Sequence, residues 1–461
     1  MDLGKLRRFL RPERLIWLLL LLLLAERLVI FRELDLSYLS GADDVNYIPA
    51  GIEFARTGTI SYGSSYPSAL IMPGMPVLIG LLSRLAGEGD ALMLAARLLW
   101  CCFGVASAWV VYRTGKCVCS AWAGFWAACC FLIPNMAWMN HVILTETPYI
   151  LFSSLCVFYT FAMERSSSPR WFVGYLISFL LALMFRSNIM LIPFFTLLWL
   201  LLRRGWSRRL LRRVLLFTAV LLLVLTPWTI RNARQFGAFI PLTYGMGQPL
   251  LQGTYEGEGY PEDSELDYET NVHQVMLERY SSYYREDPEQ RDPATSSAYA
   301  MLYDPNGEVL DLKHAQFLSM ESDGVQARYR MRVWWENDAK SFLKSYLYIK
   351  PRWMLNWSWA WVEVLHTPYS VLHWISQVNM MLCLMTVPLV LYLRRARAPV
   401  FFLGLLYVAQ VYACATAFVT DRYASMLLFL RYLIGGIGIS LLPSLLCKRK
   451  VSRTDLTERG A

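Results

Sequence analysis

Ten stretches of this 461-residue chain are almost purely apolar: residues 15–31, 92–112, 121–138, 148–163, 172–185, 190–202, 214–228, 372–393, 400–418 and 425–446. Several reach the roughly 20 residues a helix needs to cross a hydrocarbon core of about 30 Å. Inside lipid the backbone finds no water, so it must satisfy its own hydrogen bonds as helices or as a closed barrel. Continuous apolar runs, without the alternation of a barrel strand, select helices. The expected fold is therefore an all-α polytopic membrane protein of about 10 transmembrane helices. Charged residues make up only 17% of the chain, against about 25% in a soluble domain.

Charge orients these runs. Arg7, Arg8, Arg11 and Arg14 precede the first run, Arg203, Arg204, Arg208, Arg209, Arg212 and Arg213 fill one loop, and Arg394, Arg395, Arg397 and Lys448, Arg449, Lys450 fill others. Basic loops mark the cytoplasmic side, so both termini are expected inside and the net charge of +9 does not point to nucleic acid. The apolar stretch 72–85 opens with Pro73-Gly74-Met75-Pro76 and is short for a span. It is read as lying in the outer interface, because a crossing there would put Arg113 and Lys116 outside. Three regions follow: a transmembrane module over 1–230 with a first outer loop at 32–91, an outer polar segment over 231–347, and C-terminal helices with a tail over 348–461. The polar segment holds an acidic run from Glu256 to Glu269 without an EF-hand pattern, and a helix is expected around 326–344. Trp353, Trp357, Trp359 and Trp361 form an aromatic belt leading back to the membrane. Most of the ten cysteines sit in apolar runs and none in the long polar segment, which argues against a disulfide framework. Cys117 and Cys119 read as inert thiols at a helix start. No cleavage site follows the first apolar run, which is not a removable signal.

Ionisable residues gather where the outer ends of the spans are expected. Asp43 and Asp44 lie in the first outer loop, Glu146 before the fourth span, Arg186 after the fifth, Arg231 after the seventh and Arg422 before the last, with His141 nearby. Charges at that depth are costly and often functional. A carboxylate there can act as a general base, bind a metal or simply be solvated. Arginines can hold a phosphate through paired N–H donors or snorkel at helix ends. Glu146 can be a favoured acid at a helix N-terminus, and a lone His141 lacks a second metal ligand. Arg97 reads as structural. Neither GxxxxGK[ST] nor GxGxxG occurs, so an energised donor is expected to arrive through the membrane rather than as a soluble nucleotide.

The motifs GADDVNYIPAGIEFARTG (41–58), SYPSALIMPGMPVLIGLLSRL (65–85), HVILTETPYILF (141–152), FRSNIMLIPF (185–194) and LTPWTIRNARQFGAFIPLTYGMGQPLLQG (225–253) together resemble the GT-C superfamily of membrane glycosyltransferases. Within it the chain is most similar to bacterial relatives of the protein O-mannosyltransferases and the lipid A aminoarabinose transferase. The resemblance covers about residues 10–255 plus Arg422-Tyr423, with Ser187 where proline is common. It implies transfer, with inversion, of a hexosyl or pentosyl group from a polyprenyl-phosphate-linked donor in the bilayer. The acceptor would be a lipid, glycan or protein on the outer face of a bacterial inner membrane. Carried over by position, Asp43 is the base, Asp44 its orienting neighbour and Glu146 the second acid. Arg186, Arg231 and Arg422 face the donor phosphate, and Tyr47, Tyr66, His141 and Tyr423 line the substrate cavity. The base is expected to have a raised pKa through partial desolvation beside a second carboxylate. No cofactor is expected. One branch of the superfamily uses a divalent cation, but the absence of a second clear Asp-x-Asp favours no metal. Two other readings stand beside this one: a transporter or flippase of lipid-linked glycans, which would place its charges near the midplane, and an outer-leaflet polymerase or ligase.

Overall fold

The computed structural model describes residues 11–280, 312–356 and 359–457. Arg7, Arg8 and Trp357, and the side chains of Lys448, Arg449 and Lys450, lie outside the described residues. The described chain is helical, and its β pairing is an isolated bridge between Ser61 and Pro67. Six helices are long and apolar enough to cross a membrane: Asp90–Val118, Ser187–Arg204, Arg208–Phe236, Tyr369–Leu393, Arg397–Ala415 and Leu428–Leu445. The protein is a multi-pass membrane protein. Helices also form within the other four expected stretches, Pro12–Glu33, Ala121–Cys129, Glu146–Arg165 and Pro169–Phe185, each too short, too charged or not apolar enough to be counted with those six.

Two boundaries depart from the sequence reading. The stretch 121–138 is not one helix: Ala121–Cys129 tightens into a 3-10 turn at Cys130–Leu132, and a separate helix runs Pro134–Met139. Pro134 has no N–H to continue the ladder, and its ring holds Ile133 extended at ψ 127°. Arg208–Phe236, in contrast, runs straight through Pro227 instead of ending there. Its buried residues are Leu210, Asn232 and Phe236, so most of its apolar surface faces outward, as a lipid-contacting helix should.

The first outer loop is built around one close crossing. Helix Asp44–Thr57 packs on helix Gly74–Ala86, and a Cβ on either Gly51 or Gly80 would collide with the other helix. Gly41, at φ +76°, turns the chain in front of Asp43 in a conformation other residues adopt only at a cost. The short helix Gly74–Ala86 does not reach the length of a span, in keeping with an interfacial position.

The polar segment folds onto this loop through a small second core of Ala69, Phe236, Ile240, Tyr244, Met276 and Phe317. Its long helical segment, Leu312–Lys344, covers the stretch expected to be helical but is broken by non-helical backbone at Asp338 (φ −147°, ψ 75°). Gln316 on that helix accepts a hydrogen bond from the Ser68 hydroxyl (2.7 Å) and donates one to the Tyr62 carbonyl (2.9 Å). The polar segment thereby fixes the loop that carries the first acid.

Candidate active site

Asp43 stands at the N-cap of helix Asp44–Thr57, yet its carboxylate makes no capping bond. It points instead to three other groups. Arg422 Nη2 lies 2.7 Å from Oδ2, the Tyr62 hydroxyl donates to Oδ1 at 2.6 Å, and the Tyr47 hydroxyl reaches Oδ2 at 3.5 Å. The side chain remains 36% exposed. Burial acts to raise the Asp43 carboxyl, but the Arg422 guanidinium and the Tyr62 hydroxyl outweigh it and hold the group below the ordinary aspartate value. The expectation of a raised value fails because the nearest charge is a cation. Asp44 is turned away. Fully buried, it accepts from the backbone N–H groups of Ser40 and Val45 and holds the turn into the helix.

Glu146 is the first residue of helix Glu146–Arg165 and is completely buried. Its Oε1 accepts from Arg422 Nε at 2.6 Å and from Arg186 Nη1 at 2.8 Å. Arg186 leaves the end of helix Pro169–Phe185 in extended conformation, donates to the Thr145 hydroxyl at 3.0 Å and lies 4.9 Å over the Tyr423 ring. Ser187, the departure from the family pattern, opens a 3-10 turn and leaves Arg186 aimed at Glu146. Arg422 comes from the short helix Asp421–Ser425, whose first turn Thr420 caps by accepting from the Arg422 N–H at 3.4 Å. Burial works against the charge on both arginines, but the acids around them win and raise both above the ordinary arginine value.

Asp43, Glu146, Arg186 and Arg422 thus form one neutral constellation, with Tyr47, Tyr62 and Tyr423 around it. Tyr62 was not singled out in the sequence, and nothing marks it there except its place in the first loop. Arg231 is engaged elsewhere: it donates to the carbonyls of Ser68 (2.8 Å) and Ile60 (3.1 Å) and to the Asn232 side chain (2.8 Å). It clamps the base of the Ser61–Pro67 hairpin. Tyr66, directly before Pro67 at the closing end of that hairpin, is 39% exposed. His141 is fully buried, with Arg97 Nη2 3.4 Å from Nδ1 and Phe31 edge-on. Burial and the charges of Arg97 and Arg27 push its pKa down to about 3, so it is neutral. Arg97 also donates to the Asp35 carbonyl at 2.6 Å, a structural tie at the entry of the first loop.

The group can exchange partners. A guanidinium that holds two carboxylates can release one to a phosphate of higher charge, and the released carboxylate is then free to accept a proton. Among the described residues, no group of three or more His, Cys, Asp or Glu side chains is placed to hold a metal ion.

The family model for dolichyl-phosphate-mannose-protein mannosyltransferase matches residues 69–230. No curated protein matches the sequence. Among solved structures, the oligosaccharyltransferase of Archaeoglobus fulgidus in its apo form is similar over 98% of this chain and 52% of its own, at 12% identity and a TM-score of 0.52. The chain therefore spans about half the length of that enzyme. ArnT from Cupriavidus metallidurans bound to undecaprenyl phosphate aligns over 91% of this chain and 77% of its own, at 17% identity and a TM-score of 0.41. The chain shares the fold of that archaeal oligosaccharyltransferase, and its residues 69–230 match the mannosyltransferase family model.

Proposed function

We propose that this protein transfers a sugar from a polyprenyl-phosphate-linked donor to an acceptor at the non-cytoplasmic face of the membrane, with Asp43 as general base. The observation that carries this reading is that one guanidinium, Arg422, bridges Asp43 and Glu146. The description of the matching family, which names a dolichyl-phosphate-linked sugar, supports a lipid-linked donor.

In this mechanism the donor phosphate enters beside Arg422 and Arg186 and draws Arg422 toward itself. Asp43 is then released and accepts the proton of the acceptor hydroxyl or amine. The acceptor atom attacks the anomeric carbon from the face opposite the phosphate. The bond from that carbon to the phosphate oxygen breaks, the electron pair stays on the phosphate, and the configuration inverts. Preorganised guanidinium groups stabilise the charge that develops on the leaving group. Glu146, deep beneath both arginines, holds them in place between turnovers. Arg231 would act at one remove, through the hairpin that carries Tyr62. Basic loops at the opposite ends of the helices support an orientation with the site outside and both termini inside.

The test is donor turnover by the full chain reconstituted in lipid, using polyprenyl-phosphate-linked hexoses and pentoses. Wild type should release polyprenyl phosphate, and Asp43→Asn should lose roughly 10²–10⁴-fold in rate while inserting normally. Full turnover by Asp43→Asn would remove the base assignment.

A further inference from the structure

Three helices that meet at the candidate active site also meet at their far ends. Glu146–Arg165 carries Glu146 at one end and Arg165 at the other, Ser187–Arg204 begins beside Arg186 and carries Arg203 in its last turn, and Arg397–Ala415 begins at Arg397 and leads toward Arg422. A 20-residue helix spans about 30 Å, so the second meeting point lies near the opposite membrane surface. There the three helix ends, with the end of Asp90–Val118 beside them, enclose a largely polar cavity of about 370 Å³ whose polar lining is Arg165, Arg203, Arg397, Glu164 and Trp199.

The charges in this recess do not balance. Its one carboxylate, Glu164, is already engaged: Oε1 accepts from Arg203 Nε at 2.7 Å and Oε2 from the Trp199 indole at 3.0 Å. Arg165 and Arg397 have no acid partner among the described residues. Arg397 Nε is buried without a hydrogen-bond partner, a costly state for a cationic donor. Arg397 also opens a 19-residue helix, whose N-terminus adds positive potential. Ala396, just before it, sits at φ +51°, which turns the chain so that the helix start faces the recess. Arg208 and Arg209 of the neighbouring loop are exposed as well but do not line the recess, as expected of side chains that simply snorkel toward water.

We propose that this recess binds a phosphate group, presented either by an anionic phospholipid of the adjoining leaflet or by a soluble phosphate compound. Guanidinium forks match phosphate oxygens in pairs, and such a ligand would supply the missing acceptor for Arg397 Nε. The proposal is independent of the transfer reaction at the other end.

Two measurements on the full chain test it. Native mass spectrometry after extraction from bilayers containing phosphatidylglycerol reads lipid retention. Thermal unfolding in neutral-lipid nanodiscs, titrated with inorganic phosphate against chloride at fixed ionic strength, reads soluble-anion binding. Saturable binding in the first arm identifies a lipid headgroup, and in the second a free phosphate. In either case Arg397→Gln and Arg165→Gln should each weaken binding by roughly tenfold, while Arg209→Gln should not. Arg165 is exposed at a helix end, so its variant reports on the site even where Arg397→Gln fails to fold. The proposal is overturned if wild type saturates with neither ligand, if the recess variants bind as wild type does, or if Arg209→Gln loses as much as they do.

Discussion

Arg422 Nη2 sits 2.7 Å from Asp43 Oδ2, and this contact decides how Asp43 behaves. An aspartate paired with a guanidinium stays ionised at neutral pH. The unliganded site therefore holds the proposed base in its working form but not yet free to act.

The pH dependence follows from that pairing. Burial opposes and Arg422 imposes a lowered Asp43 pKa, so the acid limb of kcat/KM, which reports the free enzyme, should fall below the ordinary aspartate value of about 3.9. Once donor phosphate competes for Arg422, the acid limb of kcat should lie higher than that of kcat/KM. Steady-state profiles on both parameters check this, and coincident limbs would contradict the exchange of partners. The same group contributes stability that is present above its unfolded pKa and is lost as pH falls through the lowered folded value.

Arg422→Lys tests the bridge itself. The guanidinium reaches Glu146 through Nε and Asp43 through Nη2, a fork that a single ammonium cannot reproduce. Donor turnover should drop roughly 10²-fold, and the acid limb of kcat/KM should move up toward the ordinary aspartate range. A lysine variant with wild-type rate and limb would show that the fork is dispensable.

Glu146→Gln should cost more stability than Asp43→Asn. Glu146 is fully buried between two arginines, and removing one partner of a buried pair costs about 3–5 kcal/mol. Asp43 is part-exposed and should cost far less. Thermal unfolding in the same lipid orders the two variants.

A separate anchor supports Arg422 from behind. The Lys350 ammonium donates to the Ala417 carbonyl (2.7 Å) and the Gly253 carbonyl (3.0 Å) and pairs with Glu256 at 3.4 Å, while Glu256 accepts from the Val419 N–H at 3.0 Å. Burial lowers Lys350 to about 8, against the pull of Glu256. Between that value and the ordinary lysine value of about 10.4 the unfolded chain binds the extra proton, so stability from this group should rise with pH across that interval. Lys350→Met should flatten the rise and also weaken donor turnover by loosening the 417–420 turn. Thermal unfolding against pH, in parallel with turnover, checks both.

Much of the site could be read from the chain because membrane helices put their chemistry at their ends. Asp43, Glu146, Arg186 and Arg422 each border an apolar run, and the fold brings all four into contact. The sequence does not show direction within a pair. Asp43 and Asp44 are neighbours, but successive residues at a helix start point different ways, and the turn at Gly41 leaves Asp44 facing backbone N–H groups. Arg231 and His141 border apolar runs too, yet they bind the hairpin base and the loop entry instead. Tyr62 and Lys350 carry no local signal, since both act through contacts with distant segments, and the break at Pro134 shows that one proline can divide an apolar run while Pro227 leaves another whole.

The bridge through Arg422 also sets an order of biogenesis. Ribosomes deliver Asp43 and Glu146 early, long before Thr420-Asp421-Arg422 leaves the exit tunnel. Until then Glu146 has only Arg186 to neutralise it. The two acids become joined only when the last helical hairpin is inserted, so a nascent chain halted before Arg422 would carry both acids of the candidate site without the guanidinium that bridges them.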